Sequence, residues 1–504
     1  MVRNLFEDGI WQVNKAFHGI KGSRHAIKIR LPRELLFFTV VAGLISFITV
    51  NPVQTLGAVL LVPILFMLLW RPGEMPVLLF ACGYQWLQVA MPIVSADVSG
   101  VRLADHPLIP NLDTASLLGL LTVLSLALGM RIGRGPPATA RVKQAGLEIR
   151  SISNVRLLIA YALSHAVTEF TIELGSAVPG LRQPTIALLS VRWVMVFLIL
   201  WKGIVDPRFR WIAAGVAGLE IFIGLLGFFS GWKQVLFLGI VVAVGASDTP
   251  RRLLRPSVAI IVVMILGLAL FWQSIKMDYR DFMNQGTMSQ DVVVSVPEQI
   301  GFLSEKLFNL TGDDIGQGFE SGVDRVGYLE YFGRSITMVP SAIPHQDGRL
   351  WIEAVRHPVT PRLLFPNKPT INDSDRVNEF SGIRVADAEQ GTSISLGYAA
   401  ESYIDFGPYL MFLPIVLLGV FLGMCYRVLT TASRSAILSL GFATTLLLST
   451  GIYYEISNIK IFGGTLSAFI GSFLILKFGG HIIWRLLKIP SRAFIDYPVD
   501  LRRN

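Results

Sequence analysis

Apolar residues in this chain fall into blocks of roughly 17–22, the length a helix needs to cross the hydrocarbon core of a bilayer. The blocks lie near 35–51, 54–70, 75–94, 115–133, 155–172, 184–201, 211–229, 231–247, 256–273, 408–426, 435–451 and 460–478. Lipid offers no hydrogen bonds, so a backbone in such a block must satisfy its polar groups internally, as a helix does. Composition agrees: 16% of the 504 residues are charged, against about a quarter in soluble domains. The pattern predicts an all-α, polytopic membrane protein with about twelve transmembrane helices.

Charge gives the orientation independently. With the N-terminus inside, the connections on that side carry Arg71, Arg131, Arg134, Arg141, Lys202, Arg208, Arg251, Arg252, Arg427 and Arg434, and the C-terminal stretch adds Arg485 and Lys488. The short outer connections carry Asp97, Asp105, Asp113, Glu173 and Glu455. Cations gather on the cytoplasmic side of membrane proteins, so the bias supports an even number of spans with both termini inside. The same distribution disposes of the net charge of +9 as a sign of nucleic-acid binding, because no basic stripe is interleaved with aromatics. The expected organisation is a basic cytoplasmic segment at 1–34, helices 1–9 over 35–273, a large periplasmic loop at 274–407, helices 10–12 over 408–478, and a basic tail at 479–504. Trp11–Ile29 reads either as an amphipathic surface helix or as a disordered tail. The two cysteines, Cys82 and Cys425, lie in or at the end of apolar blocks, which excludes a disulfide framework and a cysteine metal site.

Ionisable residues inside spans are costly and mark either structural pairs or function. His165 and Glu169 lie four apart in the fifth block, Arg192 lies in the sixth and Glu220 in the seventh. They read as structural pairs, His165 with Glu169 or Arg192 with Glu220, or as the lining of a polar cavity open to lipid headgroups. Lys233, in Ser230-Gly-Trp-Lys-Gln, falls near a helix N-terminus at an outer membrane edge. It is either an anion site or a snorkelling lysine.

The loop at 274–407 exceeds ordinary connection lengths. It mixes Phe302, Tyr331, Leu350 and Trp351 with charges, and it shows no period-2 alternation, so a helix-rich cap is expected. Residues 357–369 hold four prolines in thirteen positions, a rigid extended path that presents Arg362 and Lys368. Further on, Glu401, Tyr403 and Asp405 sit at the mouth of the tenth block. Helical spacing puts Tyr398, Glu401 and Asp405 on one face, directed towards a cavity. Glu401 reads either as an acid/base group at the membrane surface or as a salt-bridge anchor.

Pro361-Arg-Leu-Leu-Phe-Pro-Asn-Lys-Pro369 resembles the signature of bacterial oligosaccharide repeat-unit polymerases, the Wzy-type O-antigen and exopolysaccharide polymerases. Thr392-Ser-Ile-Ser, Glu401-Ser-Tyr-Ile-Asp-Phe-Gly, Gly231-Trp-Lys233 and Arg325 resemble the same family. The likeness implies a glycosyltransferase C-like enzyme of the bacterial inner membrane, independent of metal and cofactor. It implies a donor glycan on undecaprenyl pyrophosphate and a single lipid-linked repeat unit as acceptor. It also implies partnership with a repeat-unit flippase and a chain-length-regulating copolymerase. Leaving-group charge calls for cations, which makes Lys233, Arg325, Arg362, Lys368 and Arg384 candidates, with Tyr403 and Arg192 as further substrate contacts. The acceptor hydroxyl calls for a base, Glu401 first and His357 second. An O-antigen ligase shares the architecture, but its His-Asn pair is not found in the late loop. A flippase of lipid-linked sugars is a further alternative, though inverted repeats are not evident.

Reporter fusions test the topology. A reporter enzyme active only outside the cytoplasm should be active when inserted within 280–400 and silent after residue 140 or at the C-terminus. Activity at the C-terminus would require an odd number of spans.

Overall fold

The computed structural model describes residues 31–177, 182–227, 231–246, 256–286, 292–313, 327–360, 372–385 and 393–489, with isolated positions between 316 and 322 and between 365 and 368. Helices account for almost all regular structure among them, and no strand is present beyond one isolated antiparallel bridge between Ile152 and Lys488. The expected surface helix at Trp11–Ile29 lies outside the described residues.

In chain order the first helices are α1 (Arg33–Ser46), α2 (Pro52–Leu69), α3 (Val77–Val98), α4 (Leu112–Gly133) and the short α5 (Thr139–Glu148). Next come α6 (Asn154–Ala177), α7 (Arg182–Val205), α8 (Arg210–Leu226), α9 (Lys233–Ala246) and α10 (Pro256–Asn284). The long loop contributes α11 (Val296–Phe308), α12 (Glu330–Met338), α13 (Arg349–Val359), α14 (Asp373–Phe380) and α15 (Tyr398–Leu410). The chain closes with α16 (Phe412–Thr431), α17 (Ala436–Thr450), α18 (Asn458–Leu474) and α19 (Gly480–Leu487). Every one of the twelve apolar blocks coincides with a helix. Among the described residues, seven helices are long and apolar enough to cross a membrane: α2, α3, α4, α6, α7, α16, and α18 with its continuation; α9 and α17 are shorter apolar helices. The chain is a helical membrane protein.

One boundary differs from expectation. The last helix does not stop at 478. It passes through a π-helical turn at Ile475–Gly479 and runs on as α19 to Leu487. Part of the expected basic tail is therefore helical, and its apolar spacing (Ile482, Ile483, Leu486) is what carries it on.

The tightest contact in the bundle joins α4 to α16. Each carries a Gly-x-x-x-Gly: Gly129-Met-Arg-Ile-Gly133 and Gly419-Val-Phe-Leu-Gly423. A Cβ at Gly129 would collide with the carbonyl oxygen of Val416, one at Gly133 with that of Val420, and one at Gly419 with that of Leu126. At Gly423 it would stand 2.7 Å from the Met130 carbonyl oxygen. Small residues allow such backbone approach in lipid, where no hydrophobic effect drives helices together and dispersion must do so. Neither motif was singled out from the sequence.

Behind this pair lies α17, whose residues from Ala436 to Leu448 are all buried. It is apolar all round because it has neighbours all round. The outer ring shows the converse. Ile159, Leu163, Phe170 and Ile172 of α6 are exposed, as befits a lipid-facing helix. On the loop side, α15 is kinked within its last turn at Gly407, whose φ of +69° turns the chain towards α16.

Replacing Gly129 or Gly419 with alanine should therefore lower the melting temperature of purified protein, by about 1–3 kcal/mol in stability terms, the usual cost of overpacking. Gly146 of α5 has open space around its Cβ position, so Gly146→Ala should be neutral or slightly stabilising through helix propensity. Equal melting temperatures for Gly129→Ala and Gly146→Ala would refute the close-packing account.

Candidate loop-side cavity

A cavity of about 1050 Å³ opens on the side of the molecule that carries the long loop. Its wall is assembled from segments far apart in sequence: the end of α3 (Pro92, Ser95), the turn before α4 (His106, Leu108, Ile109), the start of α12 (Tyr328, Glu330, Tyr331, Arg334), the approach to α15 (Ser393, Ser395), and the turn into α18 (Tyr453, Glu455, Lys460). All of these segments belong to connections that the charge pattern places on one side. Three tyrosines supply flat amphipathic faces. Glu455 accepts a hydrogen bond from the Gln88 side chain, and Gln88 also accepts one from the Tyr454 amide at 2.7 Å. Arg334 pairs with Glu330 at 2.9 Å.

The floor beside Lys460 is a charged network around the N-terminus of α18. Ser457 caps the helix through the Lys460 amide. Asp373, buried at the start of α14, takes the Lys460 ammonium at 2.7 Å and the Ser457 hydroxyl at 3.2 Å on one oxygen; its other oxygen is buried and has no hydrogen-bond partner among the described residues. Glu401, fully buried on α15, accepts from the Asn458 amide at 2.8 Å and from Arg376 at 2.9 Å. The second guanidinium nitrogen of Arg376 reaches Glu353 at 2.7 Å. Two carboxylates thus face the first turn of α18, where unsatisfied N–H groups and the helix dipole favour negative charge.

Burial pushes the Glu401 carboxyl up to about 7, and it outweighs the opposing pull of Arg376 and the Asn458 amide. Arg376 loses solvation as well, but Glu401 and Glu353 more than offset this and hold its pKa above the ordinary value. Asp405 is buried too. Its carboxyl is raised by burial and partly restored by the amides of Leu350 and Trp351 at the start of α13, at 3.1 and 2.9 Å.

The residues singled out from the sequence do not converge on this cavity. Tyr398, Glu401 and Asp405 were expected to face a cavity together. Instead each is buried against its own partner, Tyr398 donating to Gln85 at 2.6 Å. Both Glu401 oxygens are occupied, which is the geometry of an anchor. Tyr403 donates to the Val339 carbonyl at 3.1 Å and packs edge-on against Phe332 and His345. The Lys368 ammonium donates to the carbonyls of His357 and Thr360, closing the C-terminal end of α13. His357 is half-buried in the last turn of that helix, and Arg384 is exposed. Lys233 is the first residue of α9 and half-buried. Arg325 and Arg362 lie outside the described residues.

Within the bundle, Arg192 reaches Glu220 through two nitrogens, at 3.1 and 2.5 Å, while Tyr161 donates to Glu220 at 2.7 Å. His165 stands 3.2 Å from Glu220 rather than pairing with Glu169, as one reading of their spacing had it. The buried carboxylate is thereby matched by three polar groups, as a charge inside a membrane must be.

Sequence reasoning missed Asp373, Lys460 and the three tyrosines. A signal existed for one: Ser457-Asn458 before an apolar run marks a helix start, which puts Lys460 in its first turn. Among the described residues no three His, Cys, Asp or Glu side chains converge in the manner of a metal site.

Fold and cavity together describe a helical membrane protein with a chamber on the side that carries the long loop. A family model described as "Domain of unknown function (DUF8712)" matches residues 118–435. That stretch is more than half of the chain, and the protein belongs to this family. No curated protein and no solved structure matches it.

The Glu401–Arg376 pair yields a pH test. The folded chain holds the Glu401 carboxyl up at about 7, against an ordinary value of 4.5. Its stabilising contribution is therefore complete below about pH 4.5 and is lost as pH rises through 7. Arg376→Gln leaves the carboxyl without its cation, which should cost about 3–5 kcal/mol once Glu401 is ionised and less while it holds a proton. The melting-temperature gap between wild type and Arg376→Gln should be wider at pH 8 than at pH 5.5. A gap independent of pH would show that the two groups are not coupled.

Proposed function

We propose that this protein is a polymerase of lipid-linked oligosaccharide repeat units, a twelve-span enzyme of the bacterial inner membrane with both termini in the cytoplasm and the 274–407 loop in the periplasm. The motif at 361–369 and its companions support the reading. The observation that carries it is the loop-side cavity. It is large enough for several sugar rings, carries tyrosine faces, carboxylates and cations, and lies against the ends of α3, α4 and α18.

In this reading the acceptor hydroxyl attacks the anomeric carbon of the donor. The bond from that carbon to the pyrophosphate oxygen breaks, undecaprenyl pyrophosphate leaves, and the hydroxyl proton passes to a carboxylate. Glu455 is the group we assign to that step, because it is half-buried and lines the chamber. Lys460 and Arg334 supply positive charge facing the leaving group. Glu401 then acts by positioning, holding Arg376 and the start of α18. Tyr328, Tyr331 and Tyr453 stack against sugar faces and orient both substrates.

A deletion strain should accumulate single repeat units on lipid, whereas long unattached polymer would indicate a ligase instead. With purified protein and lipid-linked oligosaccharide, elongation should persist in EDTA. Glu455→Gln should lower turnover by roughly 10²–10⁴, the usual range for general-base catalysis, with melting temperature unchanged. Wild-type turnover in Glu455→Gln removes this residue from the mechanism, and metal-dependent recovery after EDTA removes the reaction class.

A further inference from the structure

A second cavity, of about 890 Å³, lies at the other end of the bundle. Helix α18 connects the two: its first turn carries Lys460 at the loop-side cavity, and the π-helical turn that follows it carries Lys477 at this one. Arg156, Arg434, Lys477, His481, Arg485 and Lys488 line it, and no carboxylate is among the lining residues. None of the six forms an ion pair among the described residues. Glu148, behind Ser435, is already taken by the Gln144 side chain, the Ser435 hydroxyl and the Ile437 amide.

Positive charge on this side is ordinary in a membrane protein. Its concentration around one walled space is not. Three features build the wall. The π turn at Ile475–Gly479 resets the helix face just where Lys477 points into the cavity. Gly480 lets the 432–435 turn come so close that a Cβ there would stand 2.9 Å from the Ser433 hydroxyl. Arg156 donates to the carbonyls of Lys488 and Leu486, at 3.0 and 3.4 Å, and so fixes the C-terminal end of α19.

The neighbouring face of the same helix tells what the occupant is. Leu474, Phe478, Ile482 and Leu486 recur every fourth residue and are 47%, 67%, 52% and 64% exposed. The basic residues Lys477, His481 and Arg485 also recur every fourth residue, one position earlier. A cationic stripe therefore runs alongside an uncovered apolar stripe. A soluble phosphorylated ligand would use only the first; a phospholipid uses both, its phosphate among the cations and its acyl chains along the apolar ridge.

We propose that this cavity is a binding site for the headgroup of an anionic phospholipid. The test uses the full-length protein in nanodiscs of phosphatidylcholine, alone or with cardiolipin of matched acyl composition. Cardiolipin should raise the melting temperature and remain bound in native mass spectra. Lys477→Gln/Arg485→Gln should abolish the rise and weaken retention by about tenfold or more, from roughly 1 kcal/mol for each cation removed. Lys477→Arg/Arg485→Lys, which keeps the charge, should preserve both and excludes misfolding as the cause. Arg208→Gln/Arg210→Gln removes two exposed cations elsewhere on this face and should also preserve both. Equal loss in that pair would reduce the effect to bulk surface charge and overturn the site. An equal rise with inorganic pyrophosphate in pure phosphatidylcholine would overturn the lipid as occupant.

Discussion

The glycine crossing of α4 and α16 is the constraint on which the rest of the bundle depends. These helices are separated by nearly three hundred residues of chain, yet their backbones touch at Gly129, Gly133, Gly419 and Gly423. The crossing ties the span just before α5 to the span just after the long loop, so everything between must be accommodated around it. Leu112, at the loop-side end of α4, lines the cavity. At the corresponding end of α16, Gly407 bends the chain into α15, which carries Glu401. Because the glycine contact fixes the distance between those ends, it also fixes the frame in which the loop helices pack.

Much of that frame was legible in the sequence. The length of each apolar block reports a physical requirement, the thickness of the bilayer core, and such requirements leave strong periodic traces. Charge asymmetry reports a second one. The loop-side cavity was less legible for a plain reason. Ser95, His106, Tyr328, Glu330, Tyr453 and Lys460 come from separate connections, and nothing in their local spacing reveals that three-dimensional packing gathers them. The motif-bearing stretch invited attention because prolines make a local signature, but Lys368 turns back to the carbonyls of α13. An intramembrane charge was easy to flag and harder to pair. Glu220 takes Arg192 as its spacing allowed, yet it also collects His165 and Tyr161 from a helix that the sequence could not place beside it.

Glu401 shows how one observation can serve two readings until geometry separates them. A carboxylate at a membrane surface near arginines has the right pKa ingredients for a base and the right charge for an anchor. A base needs a path to its substrate. Glu401 has no exposed surface, and each oxygen is already bonded. A pKa near 7 therefore does not by itself make a catalytic group; here it reflects the cost of burying a carboxyl that one guanidinium and one amide only partly offset.

That cost has a structural return at the start of α18. Glu401 and Asp373 hold Asn458, Ser457 and Lys460 from two helices of the loop, α15 and α14, so the loop and the last span cannot shift independently without leaving buried charges unpaired. Hydrophobic contacts alone would permit sliding, since one apolar surface replaces another at little cost. Directional bonds to a helix terminus do not, because each is lost within an ångström or so of displacement. The consequence falls on Glu455, just before the clamped residues, and on Lys460, the last of them; both line the chamber. Their separation is set by a helix start fixed from behind by ion pairs, which is how a cavity assembled from separate connections can hold its charges in a defined arrangement.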